Sequence, residues 1–423
     1  MADNGVAARR AAAGLLGQVL GEQQMLSEAL GAPYIQKLSF EDRARAQRLA
    51  TETLRSLERV DRILKPFMRK SPPLAVHNVL RIAAYELCTG GAAHGVVNDA
   101  VSSVGANKRT AQMKGLTNAV LRKVVEKGPE EWAKLRVPRL PKWLRGPLVQ
   151  AYGAENIGDI ERVHFAGAPL DLTAKGDASA LATAVGGTVL PTGSVRIQDA
   201  VQVSALAGYA EGDWWVQDAA AALPVSILAP KAGEKIIDLC CAPGGKTMQI
   251  AASGAEVTAV DTSERRMQRV HENLERAKLK AELVVGDALE TSGQYDAVLL
   301  DAPCSATGTI RRHPDLPMVK DGSEFGELIE LQARMLAHAI TLLKPGGRLV
   351  FCTCSLLPDE GECQIEDLLE MHPELQIDRE ALGVAGIDPS WITDEGGLRL
   401  RPDYWAEQGG MDGFYIALLR KPA

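Results

Sequence analysis

Apolar positions recur at helical spacing in the first third of the chain, and short apolar strands alternate with helices in its second half. The first pattern predicts a helix over residues 7–30 and a long helix that Ser39 caps and that runs to Phe67. Further helices are predicted over residues 76–87, around residues 96–104, and over residues 113–125, where Gly128-Pro129 would stop the last one. We therefore expect residues 1–135 to form an all-helical domain.

A second region separates this helical part from the alternating pattern. Residues 138–147 contain three prolines and predict a linker. A helix-like stretch at residues 155–165 and strand-like stretches at residues 169–175 and 194–198 predict a small α/β subdomain. We place this linker and subdomain at residues 136–200, ahead of a third domain at residues 201–423.

In the third domain, five apolar strands each end beside a chemically useful side chain. These side chains are Cys240 and Cys241, Asp261, Asp287, Asp301, and Cys354. Strands that alternate with helices predict a mainly parallel, Rossmann-like sheet, and the carboxyl ends of parallel strands meet at one edge. We therefore expect one site there. The closing segment, residues 410–421, is expected to form an antiparallel edge strand.

The first of these strands leads into a glycine-containing loop, KIIDLCCAPGGKT over residues 235–247. A Walker phosphate loop needs a glycine where Cys240 stands, and the dinucleotide fingerprint is absent as well. The next strand ends in Asp261, and an acid there can accept the hydroxyl groups of a ribose. The pattern indicates a ligand that contains adenosine.

Two cysteines follow later strands, Cys304 in DAPCSATGTIRRHPD and Cys354 in TCS. A lone cysteine is usually buried as a small apolar residue. Two beside an acid favour chemistry on carbon 5 of a pyrimidine: a thiolate adds to carbon 6, which makes carbon 5 nucleophilic toward a sulfonium methyl group, and a nearby acid protonates ring nitrogen 3. The residues themselves leave open which cysteine attacks.

Charge is distributed unevenly along the chain. Residues 1–145 contain 24 Lys and Arg against 13 Asp and Glu, a balance of +11, whereas the remainder contains 23 against 41, a balance of −18. A basic module favours a polyanionic partner, although solvated helix faces are an alternative explanation. The seven cysteines show no paired CxxC spacing, so we expect neither a disulfide framework nor a metal site. With no signal or membrane segment recognisable, we expect a cytoplasmic protein that acts as a monomer.

The motifs resemble two known families. PPLAVHNVLRIAAYELC, HGVVNDAVSSV and KGLTNAVLRKV resemble the helical RNA-binding fold of NusB. DLCCAPGGKT, AVDTSERRMQRVHENL, LLDAPCSATGTIRRHPD and FCTCSLLPDEGE resemble the Nol1/Nop2/Sun family of RNA 5-methylcytosine methyltransferases, over most of residues 195–421. With the NusB-like start, the chain is similar to the bacterial Sun/RsmB type, which methylates 16S ribosomal RNA, free or in a pre-ribosomal particle.

This resemblance implies a role for each motif residue. Cys354 matches the nucleophile, Cys304 the cysteine required for product release, and Asp301 an acid near the sulfonium and the base. The implied S-adenosylmethionine contacts are Cys240, Cys241, Ala242, Pro243, Gly244, Gly245, Lys246, Asp261, Arg266, Asp287 and Asp301. The implied RNA contacts are Arg311, Arg312, His313, Arg122 and Lys123.

The chain departs from the family pattern in two places. Cys241 stands where relatives usually have alanine, and PLDLTAK, residues 169–175, stands where many relatives carry an Arg-Val-Asn stretch that touches RNA. The competing hypothesis is a non-catalytic RNA-binding or antitermination factor. The presence of both cysteines and of three acids favours the methyltransferase.

Overall fold

The computed structural model describes residues 4–199 and 201–423, and their contacts separate into two compact units. The first unit contains residues 4–149, 154–165 and 312–321, and the second contains the other described residues. The motif DAPCSATGTIRRHPD, residues 301–315, is called the Pro-Cys motif, and its segment up to Arg311 the Pro-Cys loop. Residues 312–321, which begin at the end of this motif, belong to the same unit as the N-terminal helices. No helix in the described ranges combines the length and the apolar composition that a membrane crossing requires.

The first unit is all-helical. Its N-terminal helices are α1 (Asn4–Glu22), α2 (Leu26–Ala29), α3 (Pro33–Gln36), α4 (Phe40–Arg55), α5 (Leu57–Leu64), α6 (Leu74–Cys88), α7 (Ala93–Gly105), α8 (Lys114–Lys134), α9 (Lys142–Tyr152) and α10 (Ala154–Ala166). The hydroxyl of Ser39 accepts the Asp42 N–H at 3.2 Å, which confirms the predicted cap. The two helices predicted over residues 7–30 and 39–67 are each interrupted, by a positive φ of 52° at Gln23 and by a non-helical Ser56.

Two predictions that proline residues end or prevent a helix were wrong. Helix α8 continues through Pro129, and it packs closely at the preceding residue, where a Cβ on Gly128 would lie 3.0 Å from the Cys88 sulfur. Residues 142–147 of the predicted linker belong to α9, which buries Leu144 and Leu148, four positions apart, on one face. In both helices, burial of apolar surface outweighs the local cost of proline.

The second unit begins with a small antiparallel sheet. Its elements are β1 (Leu170–Ala174), α11 (Ala178–Val185), β2 (Thr188–Val189), β3 (Val195–Ile197) and β4 (Trp214–Val216), in the strand order β2-β3-β1-β4. The strands predicted at residues 169–175 and 194–198 are confirmed. Strand β4 lies beyond residue 200, where the sequence-based boundary was placed; the domain boundaries remain predictions.

A large sheet forms the rest of the second unit. Its strands are β5 (Lys235–Leu239), β6 (Glu256–Asp261), β7 (Glu282–Val285), β8 (Tyr295–Asp301), β9 (Leu343–Thr353), β10 (Gln376–Ile377), β11 (Leu398–Leu400) and β12 (Phe414–Arg420). The accompanying helices are α12 (Ala219–Leu228), α13 (Gly245–Ala252), α14 (Glu264–Ala277), α16 (Phe325–Thr341) and α17 (Glu362–Met371), whereas α15 (Leu316–Val319) belongs to the first unit.

The strand order is β10-β12-β9-β8-β5-β6-β7, with β11 paired to β12. Strands β9, β8, β5, β6 and β7 are parallel to one another, which confirms the Rossmann-like prediction. The expectation of an edge strand for residues 410–421 was wrong, because β12 runs antiparallel between β9 and β10. Five parallel strands thus end side by side at one edge, where their carboxyl ends present the motif loops.

Candidate active site at the carboxyl edge of the large sheet

The loop between β5 and α13 is held by contacts with the end of β6. Asp261 accepts hydrogen bonds from the backbone N–H of Ala242 at 3.2 Å and of Ser263 at 3.0 Å. The Arg266 guanidinium donates to the Ala242 carbonyl at 2.5 Å and pairs with Asp261 at 3.4 Å. In this structure Arg266 therefore supports the predicted cofactor loop.

Glycine is required where this loop turns into α13. Gly244 has a φ of 98°, and a Cβ there would lie 3.0 Å from a methyl group of Val270. Cys241 and Ala242 are buried, Cys240 and Gly245 are half-buried, and Pro243 is exposed, with its carbonyl accepting from Asn273 at 3.0 Å. The left-handed glycine opens the loop so that its backbone can approach a ligand.

Acceptor oxygens line this edge of the sheet. Asp238 is fully buried; one of its oxygens accepts the Thr247 hydroxyl at 2.6 Å, and the other has no hydrogen-bond partner. Burial raises the pKa of Asp238 to about 7. Asp287 is exposed and accepts the Leu289 N–H at 2.9 Å. These acids, together with Asp261, suit a ligand that carries ribose hydroxyls and positive charge, as S-adenosylmethionine does.

The two motif cysteines lie in contact. The sulfur atoms of Cys304 and Cys354 are 3.5 Å apart, and both residues are partly exposed. Lys246 donates to one oxygen of Asp301 at 2.8 Å, and the buried thiol of Cys352 donates to the other at 3.5 Å. The edge thus brings a thiol pair beside a Lys–Asp ion pair.

Burial and neighbouring charges shift the pKa values of the thiols and of Lys246. The hydrogen bond to Cys354, burial, and the negative charges of Cys354 and Glu360 raise the pKa of Cys304 well above that of an ordinary thiol. The pKa of Lys246 is raised in spite of burial, because Asp301, Cys352 and Cys354 stabilise its positive charge. Burial raises the pKa of Cys240 to about 12 and that of Cys241 further, so both stay protonated thiols.

Backbone contacts hold the loops of the two cysteines together. The Gly308 N–H donates to the Cys354 carbonyl at 2.9 Å, and the Gly413 N–H donates to the Gly308 carbonyl at 2.8 Å. A Cβ at Gly308 would lie 2.0 Å from the Gly413 carbonyl oxygen. Only glycine permits this approach.

Comparison with known proteins identifies the same two parts of the chain. The model of the NusB family matches residues 6–126, and the model described as 16S rRNA methyltransferase RsmB/F matches residues 225–420. The chain is 36% identical to ribosomal RNA small subunit methyltransferase B of Salmonella arizonae, over 98% of each chain. It belongs to the RsmB/F family of 16S rRNA methyltransferases.

Other comparisons agree with the RsmB/F assignment. The methyltransferase B of Serratia proteamaculans is 38% identical over 87% of this chain and 91% of its own. A methyltransferase homologue from Pyrococcus horikoshii has a TM-score of 0.54 at 25% identity, covering 66% of this chain and 95% of its own. The solved structure of PH0851 shares the fold, with a TM-score of 0.76 at 23% identity over 98% and 99% of the two chains. The family, the enzyme class and the fold predicted from the motifs are confirmed.

One RNA contact expected from the RsmB/F motifs was wrong. Arg311 is fully buried, and its guanidinium pairs with Asp218, with Asp412 at 2.9 Å, and with the Gly409 carbonyl at 2.8 Å. A guanidinium enclosed by two carboxylates is not available to an RNA phosphate. Its function is to fix the end of the Pro-Cys loop.

The other basic residues expected to contact RNA lie in the first unit. Arg122 and Lys123 are exposed on α8, Arg312 is exposed, and His313 is half-buried. Their RNA contacts remain predictions.

The sequence of this RsmB/F enzyme did not reveal the buried polar residues that lie next to the two cysteines. Glu360, Ser305 and Ser355 are all fully buried. They occur within the motifs that define the family resemblance, but a glutamate and two serines carry no periodic signal that marks them as buried. Their role depends on contacts that only the fold creates. Among residues 4–199 and 201–423, no cluster of three His, Cys, Asp or Glu could hold a metal ion.

Proposed function

We propose that this protein transfers a methyl group from S-adenosylmethionine to carbon 5 of a cytosine in 16S ribosomal RNA, through a covalent bond between Cys354 and the base. The contact between Cys304 and Cys354, at 3.5 Å, is the observation that carries the proposal. A single nucleophile needs no second thiol in contact with it. A reaction that first forms and then releases a covalent adduct uses two groups.

The cofactor is held by the ends of β5, β6 and β7. Asp261 and Asp287 accept the hydroxyl and amino groups of the adenosine part, and the loop from Cys240 to Lys246 surrounds the methionine part. The partnerless oxygen of Asp238 supports this assignment, since a buried polar atom without a hydrogen-bond partner is costly until a ligand supplies one. Bound S-adenosylmethionine supplies the electrophilic methyl group.

Cys354 is the nucleophile. Two thiols in contact do not both ionise, because the two negative charges would repel each other. The hydrogen bond to Cys354, burial, and the charges of Cys354 and Glu360 raise the pKa of Cys304, which favours a proton on Cys304 and leaves Cys354 as the attacking sulfur. The positive charge of Lys246, whose pKa is raised in part by Cys354, stabilises the thiolate. This asymmetry supports the assignment that the residue pattern alone left open.

The remaining groups act on the ring and on release. In the ion pair, Lys246 is the proton donor and Asp301 the proton acceptor. Through this pair Asp301 takes part in the protonation of ring nitrogen 3 while Cys354 attacks carbon 6. After methylation, Cys304 assists removal of the proton from carbon 5, and the Cys354–carbon 6 bond then breaks. Arg122, Lys123, Arg312 and His313 contact the RNA backbone.

The test is transfer of labelled methyl groups to unmethylated small-subunit RNA. We expect wild type to label carbon 5 of cytosine. Cys354→Ala should transfer no label, whereas Cys304→Ala should accumulate a protein–RNA species that survives denaturing electrophoresis. If wild type binds the RNA but transfers no label, the non-catalytic RNA-binding function is favoured. If Cys354→Ala forms the trapped species, the two roles are reversed.

A further inference from the structure

Glu360 is a fully buried carboxylate behind the thiol pair, in the turn that precedes α17. One of its oxygens accepts the Ser305 N–H at 2.8 Å and the Gln332 amide at 3.1 Å, and the other accepts the Ser305 hydroxyl. These donors are all uncharged. The charge of Glu360 is one of the causes that raise the pKa of Cys304.

The contacts of Glu360 reach the neighbours of both cysteines. Ser305 directly follows Cys304, and Gln332 also donates to the Pro303 carbonyl at 2.8 Å. On the other side, the Thr353 hydroxyl donates to the Glu360 carbonyl at 2.8 Å, directly before Cys354. The hydroxyl groups of Ser305 and Ser355 complete the connection, 3.1 Å apart. One residue thus connects the chain on both sides of the thiol contact.

We propose that Glu360 is a positioning residue that holds Cys304 and Cys354 in contact and places a carboxylate beside the loop of Cys304. The inference rests on the two-cysteine mechanism proposed above. It assigns to Glu360 both a geometric role, through its hydrogen bonds, and an electrostatic role, through its charge. Different variants of Glu360 test the two roles separately.

The groups that act on Cys304 come from three elements. Cys354 at the end of β9 and Glu360 both disfavour a thiolate at Cys304, whereas the N–H of Ala306 favours it. Asp301 at the end of β8 is neutralised by Lys246. When Cys354 bonds to the base it can no longer be a thiolate, and the leading cause of the raised pKa of Cys304 disappears. Cys304 can then release its proton to water and, as a thiolate, accept the proton from carbon 5 while the bond between carbon 6 and the Cys354 sulfur breaks and its electron pair returns to that sulfur. Glu360 sets how readily this happens.

The experiment uses the full-length protein and the variants Glu360→Gln, Glu360→Ala and Glu366→Gln. Glu366 is an exposed glutamate on α17, so its replacement removes one charge without touching the thiol loops. Phenylarsine oxide probes the geometry, because its arsenic bonds two neighbouring thiols with loss of water, and Cys304→Ser gives the background. Alkylation of Cys304 by iodoacetamide, measured on the peptide by mass spectrometry across pH, probes the charge.

We expect Glu360→Ala to weaken arsenical binding at least about tenfold and Glu360→Gln to keep it near wild type. The glutamine oxygen can still accept from the Ser305 N–H and from Gln332, and its NH2 group can donate to the Ser305 hydroxyl, so that this one hydrogen bond reverses its direction. Glu360→Gln should alkylate Cys304 about tenfold faster at neutral pH, corresponding to a pKa lower by about one unit. Glu366→Gln should match wild type in both assays. For turnover, we expect Glu360→Ala to lower kcat while KM for RNA stays close to wild type.

Unchanged arsenical binding in Glu360→Ala, or unchanged Cys304 alkylation in Glu360→Gln, would overturn the inference. If Glu360→Ala fails to fold, the alkylation profile of the near-isosteric glutamine variant still decides. Neither thiol assay needs RNA or S-adenosylmethionine. A protein that behaves as expected in both but methylates no cytosine would therefore contradict the proposed function and leave the role of Glu360 intact.

Discussion

Lys246 and Asp301 form the ion pair that joins the cofactor loop to the thiol pair. The ammonium group is about nine-tenths buried, and the carboxylate is 29% exposed. A buried ion pair is costly to desolvate and is weak support for stability. In the reaction proposed above its value is chemical, because the pair holds a positive charge for Cys354 and a proton donor for the base.

Asp238 has the opposite character, since it is a buried acid next to other acids. Burial raises its pKa from 3.8 to about 7, and the charges of Asp301 and Asp261 add to the effect. The folded protein therefore holds this proton over a pH range in which the unfolded chain has released it. Asp238 should favour the folded state fully below pH 4 and lose that contribution as pH rises to about 7.

Asp238→Asn tests this linkage, because asparagine does not titrate. We expect the free energy of unfolding of wild type, relative to the variant, to fall between about pH 4 and pH 7, with a slope of at most about 1.4 kcal/mol per pH unit. Above pH 7 the difference should be constant. Chemical denaturation across this range is the measurement, and a difference that rises with pH would contradict the buried-acid assignment.

At the scale of elements, strand ends determine where the chemistry lies. The apolar strands and the polar residues after them predicted the edge at which Asp261, Asp301 and Cys354 meet, because parallel strands align their carboxyl ends. The interruptions of the N-terminal helices, the continuation of α8 through Pro129, and the helix α9 were not predicted. Their limits depend on tertiary packing, such as the contact of Gly128 with Cys88, and local spacing does not encode that packing.

The Glu360 network and the burial of Arg311 escaped prediction for the same reason. The partners of Arg311 are Asp218 and Asp412, 93 and 101 positions away in the chain. A sequence motif indicates which residue types occur together. It does not indicate whether a charged side chain faces solvent or a buried carboxylate.

Replacement of Gly308 tests whether the Pro-Cys loop and the Cys354 loop must approach each other closely. Gly308→Ala places a Cβ against the Gly413 carbonyl, so the Pro-Cys loop has to move away from the Cys354 loop. We expect the free energy of unfolding to fall by about 1–3 kcal/mol, as for an overpacked core, with loss of methyl transfer. Urea denaturation and labelled methyl transfer measure the two effects.

Gly326→Ala is the matched control. Gly326 lies in α16, and a Cβ there meets nothing within 4 Å. Alanine in an exposed helical position should raise the free energy of unfolding by up to about 1 kcal/mol. A Gly308→Ala protein as stable and active as this control would show that the two loops do not need the close approach.

At the scale of the whole molecule, the positive charge is concentrated in the N-terminal part of the chain, and we expect this part to bind RNA. The first 145 residues carry a net charge of +11 on a protein whose total is −7. RNA affinity from phosphate contacts depends on salt, because bound cations are released from the RNA. The basic residues of the first unit are therefore expected to set the salt dependence of binding.

Replacement of Arg122 and Lys123 by glutamine should weaken RNA binding and reduce the slope of log affinity against log salt by roughly 1.5, with no change in unfolding. Arg311→Met should instead change the stability of the protein and not the salt dependence of RNA binding. It should lower the free energy of unfolding by about 3–5 kcal/mol, because Asp218 and Asp412 lose their buried partner, and leave the salt slope unchanged. Titration of RNA at several salt concentrations separates the two cases. A reduced slope in Arg311→Met would restore that residue as an RNA contact.

The most direct measurement identifies the bond between protein and RNA. Cys304→Ala is incubated with S-adenosylmethionine and unmethylated 16S RNA, digested with nuclease and protease, and analysed by mass spectrometry. We expect a peptide in which Cys354 carries a methylated cytosine nucleotide. A nucleotide on another cysteine, or methyl transfer to the RNA with no adduct on Cys354, would contradict it.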